Sequence, residues 1–232
     1  MILGKYEDLP ENMKNDSVKK YYDILAKKKF SLAIKRIFDI IFSLLLLILL
    51  LPVLVLLAIA IKIDSKGPVF YRQERITKNG KSFRIFKFRT MVQNADKIGS
   101  LVTVGNDSRI TRIGKVIRKI RLDELPQLIN ILKGEMSFVG TRPEVKKYVE
   151  KYTDEMMATL LMPAGVTSYA SIMYKDEDEV LENAVKRGKS ADSAYIDEIL
   201  PCKMKYNLKY IKEFSIFYDF RICIDTIVGV LM

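Results

Sequence analysis

Residues 40–61 read IIFSLLLLILLLPVLVLLAIAI, twenty-two positions with no charge and with Ser43 as the only clearly polar side chain. A helix of that length, at about 1.5 Å per residue, matches a hydrocarbon core of roughly 30 Å. The stretch starts too far from the N-terminus, and runs too long, for the h-region of a signal peptide, although Ala58 and Ala60 form an A-x-A-like site. Pro52 sits just past its middle. There it removes a backbone donor and clashes with the carbonyl of Ile48, leaving two arms that each reach about half a bilayer. Lys27, Lys28, Lys29, Lys35 and Arg36 precede the stretch, and Lys62, Lys66, Arg72 and Arg75 follow it. Positive charge marks the cytoplasmic side, and here it marks both ends. Transmembrane helices tolerate proline, so a span stays open; the same-side charge favours a bent hairpin that enters and leaves by one face.

The remainder of the chain narrows the chemistry. Its 232 residues carry 39 Lys and Arg against 28 Asp and Glu, a formal charge of +11 that calls for an anionic partner. There is no histidine, which rules out Ser-His triads, His-ligated zinc and imidazole acid–base catalysis. Cys202 and Cys223 form no metal or disulfide pattern and leave the redox compartment open. Any catalysis therefore rests on carboxylates, Lys, Arg, hydroxyls or an oxygen-held metal.

Outward from the apolar stretch, residues 1–31 are polar with a short helical pattern over 18–30. Residues 67–91 read as two strands joined at Asn79-Gly80, a strong hairpin signal. In the second strand Phe86 and Phe88 alternate with Lys87 and Arg89, which predicts one apolar and one basic face. Residues 109–121 place Ile110, Ile113, Ile117 and Ile120 at helical spacing among Arg and Lys, interrupted by Gly114. With no aromatic residues among them, they suit anionic headgroups better than nucleic acid. A helix is expected over 123–133, a loop over 134–144, and helical patterns over 145–161 and 195–214. The apolar tail over 214–232 reads as a surface-docked or membrane-touching helix. The acidic run at 176–179 contains a D-x-D, but a solvated surface run accounts for it better than a metal–nucleotide site. The Gly-Lys-Ser triplets at 80–82 and 188–190 lack the first glycine of a P-loop.

Residues 121–144, RLDELPQLINILKGEMSFVGTRPE, carry the chemistry. Asp123 suits a helix N-cap, with Glu124 in the first turn and Pro126 tolerated there. The same two carboxylates lie beside Arg121 and shortly before Arg142, and the hairpin offers Lys87 and Arg89. A carboxylate can attack phosphorus or ligate Mg2+, and arginines offset charge on a transferring phosphoryl group.

The blocks KRIFD at Lys35, GPVFYRQER at Gly67, FKFRTM at Phe86, LDELPQLINILKGEMSFVG at Leu122 and RPE at Arg142 occur in the order found in the small, monotopic polyprenyl-phosphate phosphoglycosyl transferases. From Lys35 onward the chain resembles that family, in its minimal form without an N-terminal multi-span extension. The resemblance implies that Asp123 attacks the β-phosphorus of a UDP-sugar, that UMP leaves, and that polyprenyl (undecaprenyl) phosphate takes up the phosphosugar. It further implies Glu124 as a Mg2+ ligand (Mn2+ being an alternative), Arg89 and Arg142 on phosphate oxygens with Lys87 beside them, and Pro52 as a membrane hinge. Leu51 and Thr141 depart from the serine and proline common there, and PAGVTSYASI from Pro163 replaces a PGITGWAQ-like block. The expected architecture is α+β, mostly helical with a β-hairpin. Its parts are a polar segment 1–31, a re-entrant helix 32–64 and a cytoplasmic interfacial domain 65–232 on a bacterial inner membrane. Anionic membrane lipid is an expected partner and nucleic acid is not. The rival from another class is a non-catalytic basic protein that binds anionic lipid or scaffolds glycan assembly.

Overall fold

Proline sets the first element boundary. A computed structural model of the chain describes residues 3–95, 107–174 and 177–231. After helix α1 (Asp16–Ala26), the apolar stretch forms α2 (Lys29–Leu49) and α3 (Leu51–Asp64), bent by 62° at Leu50. The Leu50 N–H still reaches Leu46 O at 2.8 Å, and Leu54 N–H reaches Leu50 O at 2.9 Å. Pro52 thus falls in the first turn of α3, where its missing donor costs nothing. Among the described residues no single helix is long and apolar enough to cross a membrane, whereas the bent pair is, by length and composition.

The two arms rest on two different hydrophobic clusters. Leu46, Leu47 and Leu50 pack on Phe83, Ile85, Leu128 and Ile131, while Leu54, Leu57 and Ala58 pack around Ile61, Phe88 and Ile117. Their other faces leave Ile41, Leu45, Ile48, Leu49, Leu56 and Ile59 more than half exposed, a contiguous apolar surface that marks an interaction site.

The hairpin forms as expected. Strands β1 (Phe70–Ile76) and β2 (Ser82–Phe88) pair antiparallel with Phe70 opposite Phe88 and Ile76 opposite Ser82. Asn79 (φ 56°) and Gly80 (φ 69°) supply the two left-handed residues of the turn. The two-faced reading of β2 needs correction. Lys87 lies on the same side as the buried Phe83 and Ile85 and points inward, whereas Phe86 and Phe88 contact Phe70 on the opposite side. The interior basic group is held there by a buried carboxylate.

Helix α4 (Arg112–Lys119) is shorter than expected and is capped by Thr111, whose hydroxyl accepts from Gly114 N–H. Gly114 is there for close approach: a Cβ would stand 2.1 Å from Thr90 O. Helix α5 (Gln127–Lys133) ends at Gly134, in the left-handed region at φ 83°. The expected loop after it contains a strand. β3 (Met136–Val139) pairs in parallel with β4 (Ala164–Thr167) across a backbone crossing at which a Cβ on Gly165 would lie 2.2 Å from Gly140 N.

The rest is helical. Short α6 (Lys146–Val149) and α7 (Tyr169–Met173) precede α8 (Glu177–Lys186), α9 (Ala191–Ala194), α10 (Leu200–Glu213) and α11 (Ile216–Leu231). In place of the continuous helix read over 145–161, α6 is followed by a 3-10 turn at Met156–Leu161; Tyr195–Ile199 is a π-turn. The polar N-terminal segment turns one face into the core: Met13, Val18, Tyr21 and Leu25 pack with Leu161, Tyr210 and Phe214. Among the described residues the fold is mostly helical α+β with two small sheets.

Candidate active site

Three segments converge: the end of β2, a 3-10 turn at Leu122–Glu124, and the loop that leaves β3. Asp123 and Glu124 are both buried, at 8% exposure. Lys87 Nζ donates to Glu124 Oε1 at 2.7 Å; the Arg142 guanidinium donates to Oε1 at 2.6 Å and to Oε2 at 3.4 Å. Burial alone would raise the Glu124 carboxyl, but Arg142 and Lys87 outweigh it and hold it well below the usual carboxylate range. Burial lowers the Lys87 ammonium despite Glu124, whereas Glu124 raises the Arg142 guanidinium. Asp123 differs. It makes no hydrogen bond among the described residues, and burial pushes its carboxyl up, with Lys87 opposing and Glu124 reinforcing the shift.

The local backbone explains the aim of the dyad. Arg121 is held in the left-handed region (φ 57°), and its carbonyl accepts from Glu124 N–H at 3.2 Å. A non-glycine residue there costs about 1–3 kcal/mol and persists only where surroundings impose it. Asp123 is therefore not the helix cap its sequence position suggested. Helix α5 starts four residues later behind Pro126, with no side-chain cap, so the Asp123 carboxylate stays free.

Residues outside the expected set hold this arrangement. Asn130 accepts from Phe86 N–H at 2.8 Å and donates to Arg84 O at 3.0 Å, clipping α5 to the free edge of β2 so that Lys87 meets Glu124. Arg36 of α2 donates to Ile131 O and Leu132 O at 2.6 and 2.9 Å, capping α5 from the apolar arm. Arg75 donates to Pro143 O at 3.1 Å and fixes the turn after Arg142. Asn130 left a sequence signal, a polar residue inside an apolar helix pattern; the two arginines lie in the KRIFD and GPVFYRQER blocks, with nothing local to point to the carbonyls they hold.

Arg89 stands apart from the dyad group. Its guanidinium donates to Ser65 O at 2.7 Å, to Lys66 O and, at 3.5 Å, to Ile61 O, capping α3. Gly67 (φ 127°) makes room for it; a Cβ there would lie 2.1 Å from the guanidinium. The acidic run lies partly outside the described residues, at Asp176; Glu177 pairs with Lys203 at 3.0 Å.

Among the described residues no three Asp, Glu or Cys side chains gather into a metal cage. A cation of the Mg2+ kind binds through one or two carboxylates and completes its shell with water and substrate phosphate, so Glu124 would be the residue to hold one here. At Glu124 it would share oxygens with Lys87 and Arg142.

A buried carboxylate with no hydrogen bond among the described residues thus stands next to a second one held by two cations. The profile of the bacterial sugar transferase family matches residues 30–232, and the chain belongs to that family. It is 36% identical over 201 residues, 85% of its length and 44% of the relative's, to the UDP-N-acetylgalactosamine-undecaprenyl-phosphate N-acetylgalactosaminephosphotransferase of Aeromonas hydrophila. Against the UDP-glucose:undecaprenyl-phosphate glucose-1-phosphate transferase of Escherichia coli it is 36% identical over 199 residues, 84% of this chain and 39% of the relative. The sugar transferase EpsL of Bacillus subtilis, uncharacterized, is 31% identical over 199 residues, 86% of this chain and 88% of the relative. The chain thus spans less than half the length of the Aeromonas and Escherichia relatives.

Proposed function

We propose that the protein transfers a sugar 1-phosphate from a UDP-sugar to undecaprenyl phosphate through a phosphosugar–Asp123 intermediate. One observation carries this: Asp123 is buried and unbonded beside a cation-pinned Glu124. In the first step an Asp123 carboxylate oxygen attacks the sugar-bearing phosphorus, the phosphoanhydride bond to UMP breaks, and UMP leaves with those electrons. In the second, an oxygen of the lipid phosphate attacks the same phosphorus and the Asp123–phosphorus bond breaks, restoring the carboxylate. Arg142 and Lys87, preset by Glu124, stand where negative charge develops on the phosphoryl oxygens. Burial strips water from Asp123 and makes it a better nucleophile. Mg2+ bound at Glu124 would supply further charge neutralisation. The names of the Aeromonas and Escherichia relatives support both the UDP-sugar and the lipid acceptor. The test is UMP release from a panel of UDP-sugars in vesicles containing undecaprenyl phosphate. Turnover with one or more sugars is expected, together with its loss in EDTA and its return with Mg2+ or Mn2+. No UMP release with any sugar would favour a lipid-binding scaffold, and full activity after chelation would remove the metal.

Membrane association follows from the lipid acceptor, and we read α2 and α3 as a re-entrant pair with both ends cytoplasmic. The 62° break and the exposed apolar faces on both arms support this. Single cysteines at Asp16 and at Asp96, the latter outside the described residues, should resist an impermeant thiol reagent in intact cells until lysis. Replacing Pro52 with Ala restores the donor and should expose the Asp16 position in a fraction of molecules, the N-terminal lysines opposing full inversion. Labelling at Asp16 in the unmodified helix background would establish a span.

A further inference from the structure

The mechanism leaves α11 without a task, yet its surface is the least water-compatible outside the bent pair. Phe217 is 87% exposed and Ile224 and Ile227 are each 60% exposed; Phe220 and Val228 join them on one stripe at helical spacing. The opposite face carries buried Asp219 and Ile222 into the core.

Contacts with α2 fix where this stripe lies. Lys28 Nζ donates to Phe214 O at 2.7 Å and to Lys212 O at 3.2 Å, so α11 starts at the level where α2 starts. Further along, Lys35 pairs with Asp219 at 2.5 Å and Tyr210 donates to the same carboxylate at 2.8 Å. Next, Phe38 meets Phe220 edge-to-face at 5.4 Å, and Phe38 stacks on Phe42 at 5.6 Å. The partners advance together along both helices, so α11 runs in the same direction as α2. Its exposed stripe continues the apolar surface of α2 through the Phe42–Phe38–Phe220 contact. Beyond Phe220 it extends eleven more residues, about 16 Å. Lys27, Lys29 and Lys212 are exposed at the shared starting level, where anionic headgroups would meet them.

We propose that α11 is a second membrane-embedded element, its Phe217, Phe220, Ile224, Ile227 and Val228 stripe seated among the acyl chains of the leaflet that α2 and α3 enter. Arg221 and Asp225, an i,i+4 pair at 3.7 Å on one edge of the stripe, offset each other's charge there. The inference rests on the membrane-bound transferase reading, and it gives the catalytic core two anchors in place of one.

The chain contains no tryptophan, which makes a single introduced Trp a clean reporter. Ile224→Trp on α11 and Ile48→Trp on α2 are each reconstituted into phosphatidylglycerol-containing vesicles with or without brominated acyl chains. Both positions are well exposed, and Phe217→Trp provides a conservative second site on α11. Quenching of Ile224→Trp by about half or more, with Phe217→Trp quenched less and Ile48→Trp most, is the expected result. Quenching at Ile48→Trp alone would overturn the inference and leave the bent-helix reading intact. No quenching at any position would overturn both. An unquenched, blue-shifted Ile224→Trp in a particle of twice the protomer mass would assign the stripe to a second copy of the chain and overturn the proposal.

Discussion

Asp123→Asn is expected to abolish UMP release while leaving a folded, membrane-bound protein. The amide is nearly isosteric but has no charge and no lone pair of comparable nucleophilicity. No cap or hydrogen bond is lost, because Asp123 makes none among the described residues. Stability should hold or rise slightly at neutral pH. A carboxyl whose folded pKa lies above its unfolded value is ionised at a cost there, and it favours folding only as pH falls. The same shift sets the acid limb of the activity. kcat/KM of the unmodified enzyme should fall at a pH above the ordinary aspartate range, since the attacking group must be ionised. Thermal unfolding together with a pH–rate profile checks both. Near-normal turnover in Asp123→Asn would end the nucleophile assignment.

Glu124→Gln should be costly in a different way. It leaves Lys87 and Arg142 facing each other without the anion that pairs them, a loss on the order of 3 kcal/mol for a buried pair stripped of one partner. Turnover should drop severely as well, because both cations lose their aim. The pH dependence of the stability gap distinguishes this from a generic packing defect. The folded pKa of Glu124 is depressed, so its stabilisation is present above the unfolded value and disappears only as pH falls through the lower, folded one. The gap between the two proteins should therefore stay constant from neutral to mildly acidic pH and close only in strong acid. A gap that closes near the ordinary glutamate range would show that the pairing is weak. A Glu124→Gln protein whose only change is a higher Mg2+ requirement would show that other ligands share the ion.

Local rules made part of this readable and long-range geometry hid the rest. Pro52 inside an apolar run, and Asn79-Gly80 between alternating strands, are decided within a few residues, and both behave as the chain predicts. The dyad, Lys87 and Arg142 were legible as chemistry, and they do meet. The environment of Asp123 was not legible, because its capping position is cancelled by a left-handed Arg121 that only the packed structure imposes. Arg89 looked equivalent to Lys87 in the strand pattern, yet the carbonyls at the end of α3 use its donors. β3 was invisible because a parallel pair joins segments 28 residues apart, Met136 with Ala164, and four apolar residues beside a glycine do not reveal such a partner.

The crossing of Gly140 and Gly165 has a consequence for how such a site tolerates change. Gly165 N–H donates to Thr141 O at 2.8 Å and Gly140 N–H to Thr167 O at 3.1 Å, so the segment carrying Arg142 is located by main chain lying on main chain. Side chains add to this at the margins, Thr77 bridging Glu135 O and Ala164 N–H and Arg75 holding Pro143 O, but the crossing itself is backbone on backbone. Variation in the 163–172 block at side chains that make no bond to β3 is thereby tolerated without moving Arg142. Substitution of either glycine is the exception, since a single added carbon pries the two backbones apart.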